Sequence, residues 1–185
     1  MVTRYIADLH FDHADIIAYD NRPFDSLEQM NCTLIRNWNS VVEEDDLTWI
    51  LGDFCMGDGE RWREILVQLN GRKAIVLGNH DNRRAAEETK DLFEIITEYQ
   101  ETIDSGDNLI LCHYPIVSFR DHYTGSIHLY GHVHSAFEWN VTENAKRLLK
   151  QLYLREDVCR MANVGAMLPY MDYTPRSLAE LLPLL

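Results

Sequence analysis

Five short apolar runs punctuate the chain, at Tyr5 to Leu9, Leu47 to Leu51, Ala74 to Leu77, Leu109 to Cys112 and Ile127 to Tyr130, each closed by polar residues or glycine. Runs of this length between turn-forming residues predict buried strands. Between the first two, Leu27, Met30, Leu34, Trp38 and Val41 recur at spacings of three and four, which winds them onto one face of a helix. Asp25 with Glu28 three residues later predicts a capping box at its start. A second helix is predicted from about Glu60 to Leu69, with Trp62, Ile65, Leu66 and Leu69 on one face and Asn70-Gly71 as its stop. Arg83 to Phe93 reads as a third. Tyr99 to Ile103, the turn Asp104-Ser105-Gly106-Asp107 and Leu109 to Cys112 read as a hairpin. Further on, Glu143 to Leu152 has helical character, Tyr153 to Val164 strand character, and Thr174-Pro175 followed by Ser177-x-x-Glu180 opens a short terminal helix. Alternating strand and helix predict an α/β layered fold, and the hairpin makes its sheet mixed.

No repeat, low-complexity tract or Pro/Gly/Ser-rich linker divides the 185 residues, so a single domain over residues 1–185 is expected. No stretch approaches the roughly 20 apolar residues of a membrane span, and Met1 leads straight into a strand-like segment, so a soluble cytoplasmic protein is expected. Cys32, Cys55, Cys112 and Cys159 show no C-x-x-C pairing and are expected as reduced core residues. The formal charge of -13 opposes adhesion to long nucleic acid, which depends on Lys and Arg neutralising phosphates. Bound divalent cations would offset part of that acidity.

The metal-binding residue types fall just past the predicted strands. Asp8 and His10 close the first run, Asp53 follows the second, Asn79 and His80 the third, His113 the fourth, and His132 and His134 the last. In open α/β sheets the carboxyl ends of the strands line the crevice where ligands bind. Five separate segments are thus expected to deliver their polar groups to one metal site. Period-two alternation predicts that Asp8 and His10 point to one side of their strand, as do His132 and His134, with Leu9 and Val133 on the other. Each piece alone has an ordinary structural explanation, a strand end or a turn; their joint occurrence in this order is what points to metal. His13, His122 and His128 are expected to be structural or peripheral.

Asp8-Leu9-His10, Gly52-Asp53, Gly78-Asn79-His80-Asp81, His113 and Gly131-His132-Val133-His134 resemble the five blocks of the calcineurin-like metallophosphoesterase superfamily. The stretches from His10-Phe11 to Arg22-Pro23-Phe24, Asn163-Val164-Gly165 and Tyr173-Thr174-Pro175-Arg176 also look like its small bacterial and phage members. The resemblance implies a four-layer αββα sandwich, two mixed sheets flanked by helices. It implies that Asp8, His10 and His134 hold one divalent cation, that Asn79, His113 and His132 hold a second, and that Asp53 bridges them. Manganese is expected first, with iron, zinc, nickel and cobalt compatible with the same donors. Two cations about 3.5–4 Å apart activate a shared water as the attacking hydroxide and clamp the phosphoryl oxygens. His80 is then free to protonate the leaving oxygen. Asp81 is placed either to orient that imidazole or to cap the helix that follows. Arg22, Arg83 and Arg120 lie in nearby loops as candidate phosphate contacts.

The expected substrate is a small phosphodiester or phosphomonoester, such as a nucleotide, because the chain leaves little material for a capping domain. Gly52-Asp53-Phe54-Cys55-Met56-Gly57-Asp58 lacks the second Asp and the Arg of the protein phosphatase branch, and Asp12 stands where many members have glycine. The alternatives are a scaffold that kept the fold and lost catalysis, or a metal buffer. Neither has a use for His80.

Overall fold

The computed structural model describes residues 1–134 and 137–185. Its strands are β1 (Thr3–Ile6), β2 (Leu47–Ile50), β3 (Arg72–Val76), β4 (Ile95–Thr97), β5 (Gln100–Asp104), β6 (Asp107–Leu111), β7 (Ile127–Tyr130), β8 (Arg160–Asn163) and β9 (Arg176–Ser177). Five of them form one sheet in the order β4-β3-β2-β1-β9, all parallel except β9. The other four form a second sheet, β5-β6-β7-β8, in which the β5–β6 hairpin is antiparallel and the rest parallel. Both sheets are therefore mixed, and the helices α1 (Asp15–Tyr19), α2 (Leu27–Asn39), α3 (Gly59–Leu66), α4 (Arg83–Glu88), α5 (Phe137–Tyr153) and α6 (Leu178–Leu181) flank them.

Parallel strands covered on both faces carry continuous apolar runs, and residues such as Ile6, Ile50, Ile75 and Val76 are fully buried here. One core cluster joins Tyr5 and Ile50 of the first sheet to Leu109, Leu111, Ile127 and Leu129 of the second. A hydrogen bond from the Tyr5 hydroxyl to Asp104 Oδ2 (2.8 Å) ties the sheets directly. Because side chains alternate across a strand, Ile110 and Tyr130 point the other way, into a smaller cluster against which Trp139 and Leu149 of α5 pack.

The element boundaries depart from expectation for local reasons. Helix α2 is capped one residue later than Asp25: Ser26 is extended and its hydroxyl accepts from the Gln29 N–H at 3.1 Å. The helix after Arg83 stops at Glu88, because the Thr89 hydroxyl donates back to the Ala85 carbonyl (2.8 Å) and a separate turn, Lys90–Leu92, follows. Helix α5 begins at Phe137, earlier than expected, and β8 is confined to four residues. The terminal helix has its expected cap, with Glu180 accepting from the Ser177 N–H at 2.8 Å. Cys32 is exposed on α2, unlike the three buried cysteines, because its position faces away from the Met30–Leu34–Trp38 stripe. Among the described residues no helix is long and apolar enough to cross a membrane.

Asp46 anchors the start of the first sheet. Its buried carboxylate accepts from the Val2 N–H (2.6 Å) and the Glu43 N–H (3.3 Å) and lies 3.7 Å from the Arg4 guanidinium. Burial pushes its pKa up, but these donors outweigh it and hold the group below the usual carboxylate range. A depressed folded-state pKa contributes stability above the unfolded value and loses it as pH falls through the folded one. Asp46→Asn is therefore expected to unfold about 1–3 kcal/mol more easily than wild type at neutral pH. The gap should narrow below about pH 4, the unfolded carboxylate range, in urea titrations repeated across pH.

Candidate metal centre

The predicted ligands do converge at the carboxyl rim of the strands, but on an irregular backbone. β1 ends at Ile6, and Asp8, His10 and Asp12 all take left-handed φ, at 56°, 52° and 58°. Asp53, His132 and His134 do the same, at 55°, 69° and 44°. The expected strand alternation is thus produced by alternating left-handed residues instead. Leu9 and Phe11 still turn into the core while Asp8 and His10 turn to the site. Hydrogen bonds between adjacent loops hold this conformation: Asp8 N–H to Gly52 carbonyl, His10 N–H to Asp53 carbonyl and Phe11 N–H to Phe54 carbonyl, at 2.8–3.0 Å. Non-glycine residues hold such backbone only where their surroundings over-determine it, and functional sites are where it gathers. The glycines beside the ligands have a steric reason. A Cβ on Gly78 would lie 2.3 Å from Asp53 Oδ1, and one on Gly131 would lie 2.5 Å from Asp8 Oδ2.

Asp8, His10, Asp53 and His134 are buried, and each offers a ligand atom within 4.8 Å of the others. His10 Nε2 lies 3.4 Å from His134 Nε2 and 3.6 Å from Asp53 Oδ2, and His134 Nε2 lies 3.4 Å from Asp8 Oδ1. Beside this group, His113 Nε2 lies 3.5 Å from Asp53 Oδ2 and 3.1 Å from Asn79 Oδ1. The ring of His132 stands 5.1 Å from that of His113, and the His132 backbone N–H donates to Asp8 at 3.1 Å. All seven predicted ligand residues are therefore neighbours, with Asp53 between the two groups.

Outer partners fix which nitrogen faces inward. His113 Nδ1 donates to the Leu51 carbonyl (2.8 Å) and His134 Nδ1 to Asp20 Oδ1 (2.7 Å), which leaves each Nε2 pointing into the cluster. Burial pulls both imidazoles down. Asp53 and Asp8 around His113, and Asp20 and Asp8 around His134, outweigh it and raise both to about 9. His10, where burial prevails, falls to about 2. Buried carboxylates, inward imidazole nitrogens and an amide oxygen suit divalent cations of the manganese, iron and zinc type.

Asp20 was not legible as a site residue, and neither was His13. His13 Nδ1 sits 3.1 Å from His10 Nδ1, and its ring lines the cavity together with His80, Asp15, Ile16, Tyr19 and Glu138. His128 is structural, as expected, fully buried between the Ile110 and Tyr114 carbonyls, and His122 bonds to the Phe119 carbonyl. His80 is exposed at the cavity mouth, its ring 5.4 Å from that of His10.

Four expectations are corrected. Arg22 does not line the cavity. It is 4% exposed, and its guanidinium donates to the Asp8 carbonyl (2.8 Å), the Leu9 carbonyl (2.9 Å) and Asp20 Oδ2 (3.1 Å), clamping the left-handed loop from behind. Arg83 is ion-paired with Glu98, and Arg120 with Glu101; neither lines the cavity. Asp81 neither orients His80 nor caps α4, whose cap is Asn82. Its carboxylate accepts from the N–H groups of Gly78, Asp53 and Phe54 at 2.8, 2.9 and 2.8 Å, pinning the second and third ligand loops together. Burial lifts its pKa to about 6 even against these donors. Removing it strands three backbone donors, so Asp81→Ala should cost about 3–5 kcal/mol of stability in denaturant unfolding.

Over 132 residues the chain is 39% identical to the uncharacterized protein MJ1445 of Methanocaldococcus jannaschii, covering 70% of this chain and 68% of that protein. It is 30% identical over 161 residues to the Gene 66 protein of Mycobacterium phage L5, covering 72% and 77%. The crystal structure of AQ665 from Aquifex aeolicus, a protein of unknown function, matches at a TM-score of 0.72 and 25% identity, over 100% of this chain and 99% of that one. No family model matches the chain.

Proposed function

The chain belongs to the family of the archaeal protein MJ1445 and the phage Gene 66 protein, and for this member we propose a metal-dependent phosphoesterase acting on a small phosphodiester. The convergence of four buried donors, Asp8, His10, Asp53 and His134, within 4.8 Å of one another carries that proposal. Asp8, His10 and His134 would hold one divalent cation, Asn79, His113 and His132 a second, with Asp53 shared. Bound there, the cations supply Lewis acidity towards the phosphoryl oxygens and lower the pKa of an attacking water.

The chain's own residues do the rest. Asp20 and the Leu51 carbonyl hold the protons of His134 and His113 on Nδ1, away from the centre. Arg22 fixes Asp20 and the Asp8–Leu9 carbonyls, so the loop is set before substrate arrives. His80 stands at the mouth with no side-chain hydrogen bond among the described residues, available to give its ring proton to the departing oxygen. A scaffold would have no reason to leave such an imidazole exposed beside seven ligand-type side chains.

The cavity wall favours a diester. Its described lining holds no lysine or arginine, whereas Asp15 and Glu138 place two carboxylates at the rim. A phosphomonoester brings a second negative charge towards them; a diester brings one, and Ile16 with the 72% exposed Tyr19 offers its second ester group an apolar shelf. Metal-stripped protein should be inert, and added Mn²⁺ should restore hydrolysis of bis(p-nitrophenyl) phosphate over p-nitrophenyl phosphate by about tenfold or more, the equivalent of one unscreened charge contact. Folded, metal-loaded protein that hydrolyses neither ester would refute the proposal. A preference for the monoester would overturn the charge argument alone.

A further inference from the structure

The imidazoles of the centre differ in what stands behind them. Behind His113 is the Leu51 carbonyl and behind His134 the Asp20 carboxylate, acceptors at which the chain of hydrogen bonds ends. Behind His10 stands another imidazole. His10 Nε2 faces Asp53 and His134, and its Nδ1 lies 3.1 Å from His13 Nδ1. A tight turn builds this contact. The His13 N–H donates to the His10 carbonyl at 3.2 Å, across Phe11 and the left-handed Asp12 (φ 58°), and the two rings stand 5.1 Å apart. Aspartate in that conformation carries strain that glycine would avoid, and here it is anchored: Asp12 Oδ1 accepts from Asn31 Nδ2 (2.6 Å) and from the Arg61 guanidinium (3.1 Å). The carboxylate at position 12 thus supplies the clamp that holds the turn from His10 to His13 closed.

Two ring nitrogens at that distance share one proton. A His10 that ligates through Nε2 keeps its lone pair there and carries its proton on Nδ1, so His13 Nδ1 is the acceptor. A neutral imidazole that accepts on one nitrogen carries its proton on the other, which puts an N–H at His13 Nε2. The His13 ring is half-buried and lines the cavity, 5.8 Å from the ring of His80. With Nδ1 turned onto the buried His10, Nε2 is the polar atom left for the open side. We propose that His13 joins the centre to the substrate: it accepts the His10 Nδ1 proton, fixing that ligand's tautomer, and donates its own Nε2 proton to a non-bridging oxygen of the bound phosphodiester. The cavity wall needs such a donor, since its described residues include no lysine or arginine. Asp20 and the Leu51 carbonyl hold their imidazoles but have no proton to hand on, whereas an imidazole accepts and donates at once. The substrate contact rests on the phosphoesterase reading above; the link to His10 requires only a bound divalent cation.

Two substitutions in the full chain separate the roles, because an asparagine oxygen can stand near the Nδ1 position of histidine while phenylalanine keeps the ring and loses both nitrogens. His13→Asn is expected to bind Zn²⁺ as wild type does. At saturating Mn²⁺ it should raise KM for bis(p-nitrophenyl) phosphate by about tenfold at unchanged kcat, the mark of one hydrogen bond made equally in ground and transition states. His13→Phe should show the same rise in KM and about 10–100-fold weaker Zn²⁺ binding, in competition with a chromogenic chelator, as loss of an outer partner predicts. In Zn²⁺-loaded, ¹⁵N-labelled wild type, long-range ¹H–¹⁵N correlation spectra should place the His13 proton on Nε2 and the His10 proton on Nδ1, with the His13 signals identified by their loss in His13→Phe. A His13 proton on Nδ1, or a His13→Phe protein with wild-type Zn²⁺ affinity, overturns the link to His10 whatever the substrate. A His13→Asn protein with wild-type KM overturns the substrate contact. Wild type inert towards both esters refutes the phosphoesterase reading and the substrate contact with it, while the spectra and Zn²⁺ affinities still decide the link to His10.

Discussion

Asp53→Asn is expected to lower metal-dependent turnover by about 10³-fold or more, several kcal/mol of lost transition-state charge stabilisation, while the protein stays folded. Asp53 is the shared member of the two ligand groups: Oδ2 faces both His10 and His113, at 3.6 and 3.5 Å. Its other oxygen, Oδ1, accepts from the His80 N–H at 2.9 Å, a bond an asparagine oxygen can keep. The substitution therefore removes one negative charge from the middle of the centre and leaves the loop geometry its acceptor. Metal content and activity should fall together, measured by plasma emission spectrometry and steady-state hydrolysis on the same preparation. An Asp53→Asn protein that retained both its full complement of metal and its activity would remove Asp53 from the centre.

The second large effect is at His80, and it depends on the leaving group. His80→Ala should slow hydrolysis of an alkyl phosphodiester by about 10²–10⁴-fold, the ordinary contribution of a positioned general acid. A p-nitrophenyl ester, whose leaving phenolate is stable without a proton, should suffer much less. The same loss for both leaving groups would mean that His80 binds the phosphate rather than protonating the departing oxygen. Metal content provides the control, because the exposed His80 ring lies outside the four-donor group of Asp8, His10, Asp53 and His134.

Much of this centre was legible from local sequence. Residue types with lone pairs stood directly after five apolar runs, and a run that becomes a buried strand carries whatever follows it to the sheet rim. What escaped was set by tertiary approach. Asp20 acts because it meets His134, 114 residues away, and an aspartate at the end of a short helix carries no signal of that meeting. Arg22 reads from sequence as a candidate phosphate contact because it lies in a loop near the ligand blocks; three oxygen acceptors around one guanidinium can be counted only in the fold. Asp81 failed for the opposite reason. Its place beside His80 suggested local work, whereas its three donors come from two different loops. The period of two at Asp8 and His10 was right, yet alternation of side chains does not distinguish extended backbone from alternating left-handed residues. The β5–β6 hairpin was readable because its turn residues are adjacent in sequence, as was the capping box at Ser177.

The sequence distance across the centre has a consequence for how the protein is made. His10 and His134 touch across 124 residues, and so do Asp8 and the His132 N–H. No shorter nascent chain can hold the complete ligand set, and Ala7 still waits for the Val164 carbonyl to close the loop that follows β1. Contacts this distant form late because the chain between them must be ordered first. A ribosome-bound fragment ending before His134 would carry six of the seven ligand-type residues but lack the His134 contacts to His10 and Asp8. Were a cation held there, its capture at full affinity would report that synthesis has passed His134, so the cluster would mark how far the chain has been made and folded.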